Sequence, residues 1–316
     1  MDRAIERGVA FLERTQLPDG ELPTMRWPAH HPAAAFHEPS VFAPALIIIS
    51  IAHIAGTERI VARAARFIES HVLRFGLWRY SPKYGGGYPP DIDDTALASH
   101  ALHIAGRPVP NNRELMLANR DARGLFFTWF APRLRWLREP RMVGVALARW
   151  RHPFVFYRTF RIATARQDDI DAVVNANALF HFGRIPETEP VIAYLVRVLR
   201  EGREAACDKW YPHPLVNLYA ISRALRRAGE DARDLLLARL AVAPAQTPLE
   251  HACAASVLLD CGEPADAHLA AILETQMESG AWPHEAVYGD PDAEWGSESL
   301  TTALCIEALS RARATA

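Results

Sequence analysis

Paired cysteines are missing from this sequence. Cys207, Cys253, Cys261 and Cys305 are scattered without CxxC spacing. Three of them lie in apolar helical text, so they read as buried free thiols in a reducing compartment. A surplus of charge is missing too. The formal balance of −2 over 316 residues gives no reason to expect nucleic acid or another polyanion as partner. Long hydrophobic runs are lacking as well: "VFAPALIIISIAHIAG" falls short of the ~20 apolar residues a membrane span needs, and it carries His53 and a proline. The N-terminal "MDRAIERGVAFLERTQ" is a charged amphipathic helix rather than a secretory leader. These features predict a soluble, cytoplasmic protein. Segments that alternate with a period of two are also scarce, which argues against a sheet-based fold.

What the chain has in quantity is apolar helix. Half of it is hydrophobic and 23% is charged, enough for a large core. Six helical stretches share a polar or acidic start, many small residues and often a terminal glycine: 38–56, 91–106, 169–183, 211–229, 247–262 and 297–312. The glycines fit the positions at which a left-handed residue ends a helix. A more amphipathic helix precedes most of these stretches, and the turns between repeat. "FLERTQLPDGEL" matches "ILETQMESGAW" in its Gln, Gly and apolar spacing, with "FIESHVLRFGLW" a looser copy. Self-similarity of this kind signals a repeat architecture. The prediction is an all-α fold: one α/α barrel, or toroid, of about six helical hairpins over residues 1–316, with an open solenoid as the alternative. The repeat is interrupted at about 124–161 by an excursion in which eight arginines, Arg133 to Arg161, interleave with aromatics against one acid, Glu139. That text suits a rim-packing amphipathic segment, an anion-binding lid or a peripheral membrane contact.

In such a barrel the inner helices run the same way, so their polar starts ring one mouth. The ring comprises Glu38, Asp91, Asp93, Asp94, Asp169, Asp171, His213, Glu250, His251 and Glu298. Aligning the repeats by their glycines pairs Asp94 with Asp171, whereas aligning from the left pairs Asp91 with Asp169. A helix N-cap needs one carboxylate. "DIDD" at 91–94 supplies three. Confined together they raise at least one pKa by repulsion and desolvation, and a carboxylic acid that stays protonated near neutral pH is a proton donor.

"DIDDTA" resembles the DxDD motif of class II terpene cyclases, and the turns at Gln16–Gly20 and Gln276–Gly280–Trp282 resemble the QW repeats of squalene-hopene cyclases. The resemblance covers most of the chain. It implies a terpenoid cyclase/protein prenyltransferase-like fold and protonation-initiated cyclisation of a linear isoprenoid, either a prenyl diphosphate or an isoprenoid-tailed metabolite. It makes Asp93 the general acid toward an alkene or epoxide, with Asp91 and Asp94 orienting it and holding its proton. Aromatic faces for the carbocation would come from Trp78, Tyr80, Tyr84, Tyr88, Trp282 and Trp295, although Trp78 and Trp282 also suit packing on the outside of the barrel. Asp171 and Glu298 complete the substrate-facing mouth. Arg133, Arg135, Arg138 and Arg158, with Lys83 or Arg79, would bind a diphosphate, and Mg²⁺ enters only with such a head group. The family often supports its acid with a histidine, for which His100, His103, His213 and His251 remain open.

The chain departs from the family in having text for one barrel, whereas class II cyclases usually pair two. A second copy in a homodimer, the 124–161 excursion or the barrel's own shaft must then complete the cavity. Zinc-dependent prenyl transfer would need an Asp, Cys, His set, and Cys207–Asp208 or His251 with Cys253 lack its flanking pattern. No metal held by the protein alone is expected. Two other classes stay open: a carboxylate-pair glycosidase or lyase on the same barrel, and a non-catalytic toroid binding an apolar ligand or a protein. The nearly all-apolar inner helices argue against a sugar-filled mouth.

Overall fold

The computed structural model describes residues 1–29, 31–82, 89–131, 140–150, 160 and 165–315. Six helices form its inner layer: α2 (Phe42–Ile51), α4 (Ile92–Ile104), α7 (Ala172–Phe182), α9 (Pro214–Arg227), α11 (Pro248–Asp260) and α13 (Glu298–Thr315). Each packs on the next, and α13 returns to α2, so the ring closes. Closure, not an open solenoid, is the outcome, and the inner members are the six stretches read from the sequence. They are buried nearly all round, as helices apolar on every face must be. Outside them lie α1 (Asp2–Thr15), α3 (Glu58–Ser70), α5 (Arg113–Ala118), α8 (Glu189–Glu201), α10 (Arg233–Leu240) and α12 (Asp266–Glu274). These helices are shorter or more amphipathic; α3 and α8, for example, bury one apolar stripe each. Helix α6 (Pro140–Trp150) lies outside this pattern.

The two glutamine turns share one hydrogen-bond scheme. Gln16 Nε2 donates to Gly20 O and to Ile60 O of the next outer helix, at 2.9 and 3.0 Å. Gln276 Nε2 does the same to Gly280 O and Ala4 O, each at 2.9 Å. The second set ties the last outer helix to the first and so closes the outer layer. Gly280 has φ +90°, and a Cβ there would sit 2.5 Å from Arg7 O. Gly280→Ala should therefore destabilise the fold by about 2 kcal/mol or more, adding a backbone clash to left-handed strain. Gly56→Ala, at φ +87° with nothing within 4 Å, should cost only the strain. Paired urea melts check this: equal losses would mean that α1 yields at the contact.

A sheet that the sequence pattern does not predict covers part of one end. Strands β1 (Met25–Pro28), β2 (Phe36–His37), β3 (Ala286–Gly289) and β4 (Ala293–Gly296) pair antiparallel in the order β2-β1-β4-β3. At two to four residues each they are too short to show a period of two. They join the segment ahead of α2 to the segment ahead of α13, so the sheet sits at the helix-start end of the ring. Leu125, Phe126 and Phe130 are buried in the barrel core, whereas Trp129 and Ala131 form a smaller buried cluster with Ala165. Beyond them only α6 and Phe160 are described up to Ala165. No described helix is long and apolar enough to cross a membrane.

Candidate active site

The inner helices open at their N-termini onto a cavity with about 120 Å³ of space for the centre of a water-sized sphere. Half of the residues that line it are aromatic. Phe42 starts α2, Tyr80 precedes α4, Trp210 and Tyr211 precede α9, and Tyr288 and Trp295 come from the sheet. Tyr288 and Trp295 are cross-strand partners on β3 and β4, and their rings stack with centroids 6.0 Å apart. The Tyr80 and Tyr288 hydroxyls meet at 3.0 Å, and Trp295 Nε1 donates to Glu38 Oε2 at 2.7 Å. Aromatic faces surround a largely apolar space that is lined also by Asp290, between β3 and β4, and by the three aspartates at the start of α4: Asp91, Asp93 and Asp94.

Local sequence separates the roles of these three. Asp91 is the N-cap of α4, extended at φ −133°, ψ 165°, and its Oδ1 accepts the Asp94 N–H at 2.7 Å. That bond is ordinary capping. One helical turn then directs Asp94 back toward Asp91 and leaves Asp93 facing the cavity. Asp93 is the one residue of 91–102 that keeps appreciable exposure. Its Oδ1 accepts from Asn177 Nδ2 at 2.6 Å, and its Oδ2 accepts from the Tyr211 hydroxyl at 2.5 Å. Burial pushes the Asp93 carboxyl above the usual range, against the two hydrogen bonds and the Arg223 charge, which lower it. Burial also drives Asp91 well up, with the Asp94 charge adding to it, and lifts Asp94 to about 7. The Asp91 and Asp94 carboxyls hydrogen-bond each other, so this pair retains a proton at neutral pH.

A second acidic group stands behind the wall. Asp171 occupies the N-cap position of α7, but its Oδ2 accepts from Thr128 Oγ1 at 2.6 Å, and burial lifts it to about 6. The α7 N-terminus is capped instead by Asp208, which accepts the Val173 N–H at 2.8 Å. Asp169 pairs with Lys209 Nζ at 2.5 Å and accepts the Arg166 N–H at 2.8 Å. Both sequence alignments of the repeat are thus corrected: the equivalent N-cap positions of α4 and α7 are Asp91 and Asp171, of which only Asp91 caps with its side chain. The carboxyls of Asp169 and Asp171 already have protein donors, and no group of three His, Cys, Asp or Glu among the described residues could hold a metal. Cys207 donates to Glu204 O, and His251 pairs with His268 at 2.9 Å.

Of the other residues expected to face substrate, Trp295 and Tyr80 line the cavity. Asp171 lies one residue behind the wall, through Thr128. Glu298, half-buried at the start of α13, does not line it. Trp78 and Trp282 are fully buried away from the cavity, each with its indole N–H on a backbone carbonyl ten residues earlier, Ile68 O at 2.9 Å and Ile272 O at 2.7 Å. They pack inner helix starts against outer helices. Tyr84, Tyr88, Lys83, Arg133, Arg135, Arg138 and Arg158 lie outside the described residues. No histidine bonds Asp93 among the described residues. His100 is turned against Phe180 and held neutral by burial, its pKa down at about 3. The hydrogen-bond partners of Asp93 are Asn177 and Tyr211 instead, neither of which stands out in the sequence. The inner shaft, though nearly all apolar, also carries Arg223, Tyr219 and Glu307.

No protein-family model matches the sequence, and a search of curated proteins gives no match. Solved structures are similar in fold. A protein from Actinoplanes aligns with a TM-score of 0.74 at 18% identity, over 99% of each chain. The type II terpene cyclase MstE from Scytonema aligns at 0.73 and 16% identity, over 100% of this chain and 99% of that one. A variant of it in complex with geranylgeranyl dihydroxybenzoate, its substrate, aligns at 0.72 and 15%, over 100% and 98%. The ent-copalyl diphosphate synthase from Streptomyces platensis aligns at 0.62 and 18%, over 86% of this chain, which spans 50% of that enzyme. At these identities the likeness shows a shared helical toroid.

Proposed function

We propose that the chain is a cyclase that protonates the end of a linear isoprenoid and guides the resulting cation through ring closure. The observation that carries this reading is Asp93: a carboxyl whose burial favours its protonated form, opening onto an aromatic-lined cavity. Protonating an alkene demands a strong neutral acid close to the carbon and a surround that does not trap the cation. The hydrogen bonds from Asn177 and Tyr211 stabilise the carboxylate that remains after transfer, so they favour the donor's task. The faces of Trp295, Tyr288 and Phe42 offer negative quadrupole potential without a nucleophile. Asp91 and Asp94, next to Asp93, orient it through the helix cap. The substrate class is a prenyl diphosphate or an isoprenoid-tailed metabolite, and the MstE complex with a geranylgeranyl-tailed benzoate supports the second.

The test is incubation in D2O with C10, C15 and C20 prenyl diphosphates, squalene and geranylgeranyl dihydroxybenzoate, with products separated by gas or liquid chromatography and read by mass spectrometry. The expected result is a cyclic product carrying one deuterium at the carbon that was protonated. A cyclic product without deuterium would point to ionisation of the head group and remove Asp93 from initiation. No turnover by folded protein, alongside tight binding of a tailed substrate, would favour the binding toroid.

A further inference from the structure

Arg223 is a buried cation without a carboxylate partner among the described residues. It lies on α9 inside the ring, 5% exposed. Its guanidinium donates from Nη2 to Asn177 Oδ1 in a short hydrogen bond and from Nη1 to the Tyr219 hydroxyl at 3.5 Å. It sits 4.8 Å over the Phe180 ring and 5.0 Å over that of Tyr219, and its Nε has no partner. Burying a guanidinium with so little neutralisation destabilises a fold. A chain that keeps one in its core has another use for it.

That use follows from the chemistry of an amide. Asn177 can present either its oxygen or its NH₂ to Asp93, and the two ends have nearly the same shape. Arginine donates and never accepts, so Arg223 fixes Asn177 Oδ1 toward itself and turns Nδ2 onto Asp93 Oδ1. The Asn177 N–H can only donate, so Oδ1 stays an acceptor toward it, whereas the Tyr211 hydroxyl beside Oδ2 can turn and accept. The protonated acid therefore carries its proton on Oδ2. We infer that Arg223 is a positioning residue that acts through Asn177 to fix which oxygen of Asp93 carries the transferable proton and to strengthen it as a donor.

The inference rests on the reading of Asp93 as the acid. Other charged or titratable groups that act on Asp93 are Asp91 and Asp94 on its own helix, Asp208, which caps α7, and Tyr211 ahead of α9, and Tyr80, Tyr288 and Asp290 share its cavity. The Arg223 charge lowers the Asp93 pKa, so its loss leaves Asp93 protonated to higher pH but a weaker donor.

Two readouts separate the possibilities. One is the pH–rate profile of cyclisation. The other is the infrared carbonyl titration of Asp93, assigned by difference against Asp93→Asn, which needs no turnover. Arg223→Met should lower the rate roughly 10- to 100-fold and move both the alkaline limb and the infrared midpoint to higher pH. Arg223→Gln keeps an N–H for Asn177 Oδ1 without the charge, so it should recover part of the rate with the midpoint still raised. Arg223→Met combined with Asn177→Ala should be no worse than Asn177→Ala alone. An unmoved midpoint in folded Arg223→Gln, or additive losses, would overturn the role of Arg223 while leaving Asp93 as the acid. A raised midpoint in a protein that cyclises nothing would keep the Arg223–Asn177 device and discard the cyclase.

Discussion

Asp93→Asn should abolish cyclisation, with at least a ~10³-fold loss of turnover, while the protein stays folded. The replacement is isosteric. Its amide oxygen can still accept from Asn177 Nδ2, and its NH₂ can donate to the Tyr211 hydroxyl, which accepts as readily as it donates. The neighbouring Asp91 and Asp94 cannot substitute. Asp91 Oδ1 is committed to capping α4, and the proton of that pair is held between two carboxyls. Circular dichroism and retained binding of a tailed substrate would show that the loss is chemical. Turnover within about tenfold of the parent protein would move the acid to the Asp91–Asp94 pair, or end the protonation reading altogether.

Much of this architecture can be read from local sequence, for one physical reason. A helix buried on all sides must be apolar on all sides, and close packing of six such helices in a ring favours small residues. Both properties are properties of contiguous text, so 91–106 and 169–183 identify themselves as inner helices without reference to anything else. The Gln turns are legible likewise, because each glutamine bonds its own turn glycine four residues on. "DIDD" stands out because three carboxylates in four positions exceed what a helix cap requires.

The partners of Asp93 are not legible in this way. Asn177 lies 84 positions away and Tyr211 lies 118 away. Asn177 reads as a polar residue in an apolar helix, and Tyr211 as one more aromatic before a proline. Only ring closure brings α4, α7 and the entrance to α9 to one point. Arg223 is harder still, since "ISRALRRAG" places it beside Arg226 and Arg227, and text alone does not say which arginine of the three turns inward. In the structure Arg226 reaches Asp260 at 2.8 Å and Arg227 donates to Phe180 O at 2.7 Å, while Arg223 is enclosed. Glu298 starts α13 at the same end of the ring, but a place at the mouth does not by itself turn a side chain into the cavity.

Asp94→Asn should stabilise the protein at pH 8 and leave its stability nearly unchanged at pH 4. Asp94 is 3% exposed, and its Oδ1 has no hydrogen-bond partner among the described residues. Burial lifts its carboxyl from 3.8 to about 7, while in the unfolded chain it titrates at its ordinary value. Below 3.8 the group is neutral in both states and contributes nothing to the balance. As pH rises from there, the unfolded chain ionises freely and the folded one resists, so stability falls until the folded group also ionises near 7. An upward displacement of this kind corresponds to on the order of a few kcal/mol at pH 8. An amide removes the titration and can donate an N–H to the Asp91 carboxylate in place of the shared proton. The melting temperature at pH 8 should rise by on the order of 5 °C, with activity reduced because the carboxyl pair next to the acid is gone. A variant less stable than the parent at pH 8 would mean that Asp94 is held by a partner strong enough to offset its burial. A gain of the same size at pH 4 would mean that repulsion among carboxylates is not its source. Stability surrendered at one buried carboxyl is what a protonation site should show, since the same desolvation that destabilises the charged form keeps protons available in the cavity wall at neutral pH.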